Sequence, residues 1–301
     1  MVKISEMLER QKIFPGEQGP LLTGNFACAG CGLSVAYKTA ISALENPVVV
    51  IPACCASVIQ SLHPNVTYNV PTLNIAFASH AAAASGIARA KKALGEKVTP
   101  VVWSGDGGTF DIGMATLSGA AERNENILYF VYNNEFYGNT GSQRSGATPR
   151  GAVTTTTPSG KTARRKSIER IVQAHNVPYV ATASVGYLRD LYDKAKKASE
   201  MEGFKFIHVL ATCPTGWDYD PRYTIELGKL AVQTGYLPMF EITGGKLTFD
   251  KRFAKYAEKE NRKPLSEFIN HQGRFKKATP EMIKQLEADI DAEWEALKKL
   301  Q

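Results

Sequence analysis

A rhythm restricts this chain more than any other feature. Five short apolar runs, Val48–Ile51, Val98–Trp103, Ile127–Tyr132, Tyr179–Ala183 and Phe206–Ala211, alternate with longer stretches of helical periodicity. The runs are rich in β-branched and aromatic residues and lack apolar–polar alternation, which is how strands buried on both faces read. Helices are expected at Leu33–Leu44, His80–Leu94, Ile112–Arg123, Ser167–His175, Leu188–Glu202 and Thr224–Thr234. Strand, helix and strand in repeated succession predict an α/β fold: an open, mostly parallel sheet with helices on both faces. No internal repeat accompanies the rhythm.

Three segments depart from it. Residues 1–25 are punctuated by Pro15, Gly16, Gly19, Pro20 and Gly24 and read as an N-terminal arm. Gly138–Lys166 is a long connection without periodicity, the kind that is usually functional or disordered. Residues 243–301 form a C-terminal extension ending in a helix with a sound start, Thr279-Pro280-Glu281. Ile283, Leu286, Ile290, Trp294 and Leu297 make one apolar stripe along it. The expected division is therefore an arm at 1–25, an α/β domain at 26–242 and an extension at 243–301 that packs on the core or serves as a subunit contact.

Charge has to be weighed against its location. Lys and Arg number 36 against 29 Asp and Glu, a formal net charge of +7, which invites a nucleic-acid reading. No basic stripe interleaved with aromatic residues supports it, and no nucleic acid is expected. Lys161, Arg164, Arg165 and Lys166 form one basic concentration, read either as a solvated loop or as a surface for anionic groups. No apolar run reaches the roughly 18 residues a membrane span needs, and Met1–Glu6 is charged and mixed. No membrane association is expected, and the location is expected to be cytoplasmic.

The cysteines are Cys28, Cys31, Cys54, Cys55 and Cys213, an odd number in a pattern that argues against a disulfide framework. Cys28-Ala-Gly-Cys31 has the spacing at which two thiolates face one metal or cluster. Cys54 and Cys55 are adjacent, so one of them plus Cys213 completes a four-thiolate set, for which zinc is the alternative to an iron–sulfur cluster.

Gly105-Asp106-Gly107-Gly108 follows one predicted strand and opens a helix; Asn133-Asn134 ends the next strand. Both clusters fall at the carboxyl ends of strands, where open α/β sheets bind ligands. A diphosphate is bound through a hard cation that takes oxygen ligands in octahedral array. Asp106 offers a carboxylate, Asn134 an amide oxygen, and the turn after it a main-chain carbonyl, that of Phe136. The glycines let the backbone approach phosphate, and the following helix start adds N–H groups. The arrangement resembles the thiamine-diphosphate-binding signature in its diphosphate-binding half.

The flanking residues narrow the resemblance. Phe136-Tyr137-Gly138-Asn139-Thr140-Gly141-Ser142-Gln143-Arg144-Ser145, Ala147-Thr148-Pro149, Thr154–Pro158, Gly160-Lys161, Cys28-Ala-Gly-Cys31-Gly32 and Cys213-Pro214-Thr215-Gly216-Trp217 occur in one order from about Gly24 to Gln272. They resemble the β subunit of 2-oxoacid:ferredoxin oxidoreductases, and within that family the pyruvate branch. The resemblance implies thiamine diphosphate and Mg²⁺ held through Gly105, Asp106, Gly107, Asn134, Asn139, Thr140 and the Phe136 carbonyl, with Asn139 beside the reacting carbons. It also implies a [4Fe–4S] cluster on Cys28, Cys31, Cys55 and Cys213, leaving Cys54 spare. The family's third-ligand segment usually has a small residue where Cys54 stands.

The implied activity is oxidative decarboxylation of a 2-oxoacid to acyl-CoA and CO₂, with electrons passed singly to ferredoxin, or the reverse. Pyruvate is the favoured substrate. Oxalate without coenzyme A, 2-oxoisovalerate, 2-oxoglutarate and aromatic 2-oxoacids follow, and a non-redox thiamine-dependent decarboxylase is the remaining enzyme class. Arg150, where the family usually has an aromatic or apolar residue, bears on the choice of 2-oxoacid. The chain has no second domain to hold the aminopyrimidine, so the implied partners are an α subunit supplying the activating Glu, a γ subunit and a ferredoxin-like δ subunit. The histidines have no ligand spacing, and none is given a role.

Overall fold

The computed structural model describes residues 19–62 and 66–301; most of the N-terminal arm and His63 lie outside them. In chain order the elements are α1 (Gly32–Ile41), β1 (Pro47–Pro52), α2 (Cys55–Ile59), β2 (Thr72–Ile75), α3 (His80–Leu94), β3 (Thr99–Gly105), α4 (Met114–Glu122), β4 (Leu128–Asn133), α5 (Ile168–Gln173), β5 (Tyr179–Ser184), α6 (Leu188–Ser199), β6 (Lys205–Leu210), α7 (Pro214–Trp217), α8 (Thr224–Gln233), β7 (Phe240–Thr243), β8 (Lys246–Phe249), α9 (Leu265–Ile269) and α10 (Pro280–Lys298). The strands form one sheet in the order β2-β1-β3-β4-β6-β5-β7-β8. Pairing is parallel from β2 to β5 and antiparallel at β5–β7 and β7–β8.

The five predicted strands are β1, β3, β4, β5 and β6, the inner part of the sheet. Their lack of alternation has the expected cause. Val49, Ile51, Val101 and Trp103 pack on one face with Leu33, Ala36 and Tyr37 of α1 and Leu191 of α6. Val50, Val102, Tyr129 and Val131 pack on the other with Ala81 and Ala84 of α3 and Leu117 of α4. A side chain on either face meets a helix, so both must be apolar.

Three strands went unpredicted. Edge strand β2, Thr-Leu-Asn-Ile, is short and only partly covered. Strands β7 and β8 form a hairpin around Gly244-Gly245, with Thr243 opposite Lys246. Both glycines have positive φ, 57° and 82°, as a two-residue turn of the I′ type requires. The expected boundary between residues 242 and 243 falls inside this hairpin. Beyond it, Leu286, Ile290 and Trp294 of α10 are buried in a third core with Phe136, Leu227 and Phe268. Leu297 joins the α3–α4 face of the sheet. The chain's own core thus accounts for the apolar stripe of α10 without a second subunit. Among the described residues no helix is long and apolar enough to cross a membrane.

The topology places the site. From β1 the chain runs to β2 on one side, then crosses back to β3 on the other, so the sheet order switches between β1 and β3. Connections leaving the carboxyl ends of β1 and β3 diverge there and leave a crevice.

Candidate functional site

Four neighbouring strands deliver the predicted residues to one edge. Cys54 and Cys55 follow β1, Asp106 follows Gly105 at the end of β3, Asn134 follows Asn133 at the end of β4, and Cys213 lies beyond β6. Cys28 and Cys31 precede α1, whose first residue, Gly32, donates from its N–H to Thr212 O at 3.2 Å. A Cβ on Gly32 would stand 2.5 Å from that same oxygen, so only glycine lets the two segments meet.

Past Asp106 the backbone makes a π-helical turn, Gly107–Ile112, before α4 begins. Its glycines are steric necessities. A Cβ at Gly107 would stand 2.4 Å from Tyr137 Cε1, and one at Gly108 2.7 Å from Ser104 Oγ. π-Helical turns are rare and cluster at functional sites.

Asp106 is buried, and Ser145 Oγ donates to its Oδ2 at 2.5 Å. One polar atom of the Asn134 amide stands 2.7 Å from the Phe136 carbonyl oxygen and 2.8 Å from Asp106 Oδ1. With nitrogen in that place the amide donates to both. With oxygen there, three oxygens converge, and a cation among them removes the repulsion. Neighbouring ligands of an octahedral Mg²⁺ at about 2.1 Å lie about 3 Å apart, close to this spacing. Burial pushes the Asp106 carboxyl up to about 8 despite the Ser145 hydrogen bond, which is the cost a bound cation reverses. The donor set therefore fits a Mg²⁺–diphosphate group.

A cleft opens beside these oxygens, with Cys54, Cys55, Phe77, Tyr137, Asn139 and Thr140 also on its walls. Asn139 and Thr140 are exposed at its lip. Thr140 Oγ1 donates to Gln143 Oε1 at 2.5 Å, and Gln143 Nε2 returns a bond to Thr140 O at 2.8 Å. Arg150 is not on these walls. Its Nε donates to Asp289 of α10 at 2.9 Å, so the unusual residue serves the C-terminal helix.

The adjacent cysteines have opposite environments. Cys54 is the buried N-cap of α2, and its Sγ donates to Pro52 O at 3.0 Å. Cys55, the first residue of α2, is half-buried on the cleft. Burial pushes its thiol up, and the thiols of Cys54, Cys213 and Cys31 push it further. Burial likewise pushes Cys213 up to about 12, with Cys31 and Cys28 adding to the effect. Cys28, Cys31, Cys55 and Cys213 therefore lie within electrostatic reach in one region. Among the described residues, no three His, Cys, Asp or Glu side chains converge tightly enough to hold a single metal ion.

The basic segment is held by partners within the chain, although Arg164 and Lys166 stay exposed. Buried Lys161 donates from Nζ to Thr148 O at 2.6 Å. Arg164 pairs with Glu293 of α10 at 2.8 Å, and Lys166 with Asp111 at 2.8 Å. Arg165 donates to Tyr236 O at 2.9 Å and lies over the Tyr236 ring. These cations tie the long 138–166 connection to the rest of the chain.

Sequence reasoning missed Glu135, Ser145, Asp111 and Arg274. Asp111 accepts from Tyr137 Oη at 3.0 Å and from Gly146 N at 2.9 Å, joining the π-turn to the long connection. Only Glu135, wedged between Asn134 and Phe136, carried a signal that could have been read. His80, also without a predicted role, is buried under the π-turn; its Nε2 meets Tyr129 Oη at 2.7 Å, and burial lowers its pKa to about 4.

Residues 51–209 match the family described as "Thiamine pyrophosphate enzyme, C-terminal TPP binding domain", a range from β1 to β6 that holds both halves of the oxygen set. The ketoisovalerate oxidoreductase subunit VorB of Pyrococcus abyssi is 43% identical over 99% of this chain and 98% of that protein. The pyruvate synthase subunit PorB of Methanothermobacter thermautotrophicus is 42% identical over 94% of this chain and 98% of that protein. A chain of the 2-oxoglutarate:ferredoxin oxidoreductase from Magnetococcus marinus superposes with a TM-score of 0.56 over 69% of this chain and 77% of its own, at 22% identity, a likeness of fold.

Fold and site together define a thiamine-pyrophosphate-binding domain of the C-terminal type. The chain belongs to the β-subunit family of the 2-oxoacid:ferredoxin oxidoreductases, and is thus a subunit of an oxidoreductase.

Proposed function

We propose that this chain holds thiamine diphosphate, Mg²⁺ and a [4Fe–4S] cluster and carries out the oxidative decarboxylation of a 2-oxoacid, with pyruvate as substrate. One observation carries the reading: Asp106 Oδ1, the Asn134 amide and the Phe136 carbonyl meet within 2.7–2.8 Å on the cleft that Cys55 also lines. A cation–diphosphate site on a cleft lined by one cysteine of a proposed cluster set suits decarboxylation coupled to electron transfer. It does not suit a non-redox decarboxylase, which needs no cluster.

When bound, thiamine diphosphate supplies the carbon nucleophile and electron sink, and the cluster a one-electron acceptor. Asp106, Asn134 and the Phe136 carbonyl hold Mg²⁺. The N–H groups after Gly105 and Gly107 would be offered to the diphosphate. Ser145 occupies Asp106 Oδ2, leaving Oδ1 toward the cation. Asn139 and Thr140 border the reacting end of the cleft. Cys28, Cys31, Cys55 and Cys213 would hold the cluster.

The balanced reaction is 2-oxoacid, coenzyme A and two oxidised ferredoxins giving acyl-CoA, CO₂, a proton and two reduced ferredoxins. The aminopyrimidine-activating Glu comes from an α subunit, and γ and ferredoxin-like δ subunits complete a hetero-oligomer. A branched 2-oxoacid is the second reading, favoured by the likeness to a ketoisovalerate oxidoreductase subunit over nearly the whole chain. The test is a viologen-linked assay of the purified native complex against a panel of 2-oxoacids, with and without coenzyme A. The expected result is CoA-dependent reduction with the highest kcat/KM for pyruvate. A higher value for 2-oxoisovalerate reverses the substrate order, and turnover to free aldehyde without dye reduction overturns the redox assignment.

A further inference from the structure

Glu135 is the one residue between Asn134 and Phe136, and its backbone is left-handed, with φ 68°. For a residue with a Cβ this conformation is strained and persists only where the surroundings impose it. Here it turns the Asn134 side chain and the Phe136 carbonyl toward the same point beside Asp106.

Every handle of Glu135 is held. Its N–H donates to Asn133 Oδ1 at 2.8 Å, and its carbonyl accepts from Thr148 Oγ1 at 2.6 Å. Its carboxylate, wholly buried, accepts from Arg274 Nη2 at 2.7 Å, from Tyr236 Oη at 2.5 Å and from Arg165 Nη1 at 3.4 Å. Arg274 comes from the C-terminal segment, 139 residues along the chain. Its guanidinium lies 3.8 Å from the Trp217 ring centroid, and the Trp217 indole donates to Asn134 O at 2.8 Å. Arg274 thus bears on the turn by two routes, one to Glu135 and one to Asn134.

A buried ion pair is weak support for stability, because an apolar pair of similar volume often does as well. This pair grips the strained residue flanked by two proposed cation ligands, where orientation matters most. We propose that Glu135 and Arg274 are positioning residues that hold the Asn134–Phe136 turn in the geometry that binds Mg²⁺–thiamine diphosphate, so that the C-terminal segment sets cofactor affinity without touching the cofactor. The inference rests on the proposed Mg²⁺ site.

The test measures Mg²⁺ and thiamine diphosphate dissociation constants by calorimetry on the native hetero-oligomer with the wild-type chain, Arg274→Met, Arg274→Lys and Glu135→Gln, alongside the thermal midpoint of each cofactor-free complex. Loss of groups behind a metal ligand typically costs about 10–100-fold in metal affinity. Arg274→Met and Glu135→Gln are expected to weaken cofactor binding by about that factor, and Arg274→Lys to recover part of it. Saturating cofactor is expected to restore kcat. Equal affinity in wild type and Arg274→Met overturns the proposal, whether or not the midpoint falls. Absence of Mg²⁺-dependent cofactor binding in the wild type instead overturns the site reading beneath it.

Discussion

The indole nitrogen of Trp217 donates a hydrogen bond of 2.8 Å to the main-chain oxygen of Asn134. Trp217 closes the short helix that begins after Cys213, and Asn134 opens the turn beside Asp106. The bond therefore joins the Cys213 segment to the oxygen side of the cleft. Gly216 permits the closeness: a Cβ there would stand 1.7 Å from Phe136 Cζ. Two motifs far apart in sequence are one mechanical unit.

Gly216→Ala should disturb both sides at once. Overpacking typically costs about 1–3 kcal/mol, and a contact this short places the substitution at the upper end. Chemical denaturation of the chain should show the loss. A variant as stable as wild type would mean that Phe136 is free to move aside.

Cys54 and Cys55 should separate cleanly in an iron assay. Cys55→Ser is expected to lose bound iron and sulfide, because its thiol faces the cleft near Cys31 and Cys213. Cys54→Ser should keep both, since Cys54 Sγ is buried and already bonded to Pro52 O. The reverse pattern would move the ligand to Cys54.

Asp106→Asn removes the charge that the proposed cation needs while keeping the shape of the side chain. Thiamine diphosphate affinity in the presence of Mg²⁺ should fall by more than the ~100-fold typical of losing a group behind a ligand. The cofactor-free fold should survive, as an uncompensated buried carboxylate is a burden to it. Unchanged calorimetric binding would remove Asp106 from the site.

Lys161 should leave a signature in the pH dependence of stability. Burial, with a smaller contribution from Arg144, lowers its pKa to about 8, whereas an unfolded Lys titrates near 10.4. Between those values the unfolded chain binds more protons than the folded one, so stability from this group rises with pH; below about 8 its cost is constant. Lys161→Met should lack that rise. Denaturation midpoints of both proteins at pH 7.5 and pH 10 test this, and parallel changes would show that Lys161 titrates normally.

Trp294 tests whether α10 belongs to this chain's core. It is 1% exposed and donates to Gly235 O at 2.7 Å. Trp294→Ala should cost the isolated chain about 3–5 kcal/mol, as Trp-to-Ala changes in cores do. If only the assembled complex were weakened, the helix would be a subunit contact after all.

Much of the proposed site was legible because its signals are local. Asp106 and Asn134 were recognisable at the ends of apolar runs, since a strand terminus, a glycine turn and a helix start are neighbours in sequence. The cysteine spacing was legible for the same reason. The difference between Cys54 and Cys55 was not: the Cys54 thiol is buried and bonded to Pro52 O, whereas that of Cys55 is half-buried beside Cys213 and Cys31.

The basic run shows the limit most plainly. Its charges predicted a surface, yet Arg164 meets Glu293 and Arg165 meets Glu135. Such pairings join residues with no periodic relation, so no window along the chain holds both partners. By itself the sequence determined a mostly parallel sheet, because burial on two faces writes itself into every residue of a strand, and it marked the strand ends proposed to carry the chemistry. Only the tertiary structure decided what holds the chemistry in place. Arg274 reaches Glu135 across 139 residues, and that contact exists only once the C-terminal segment has folded back over the ends of the strands.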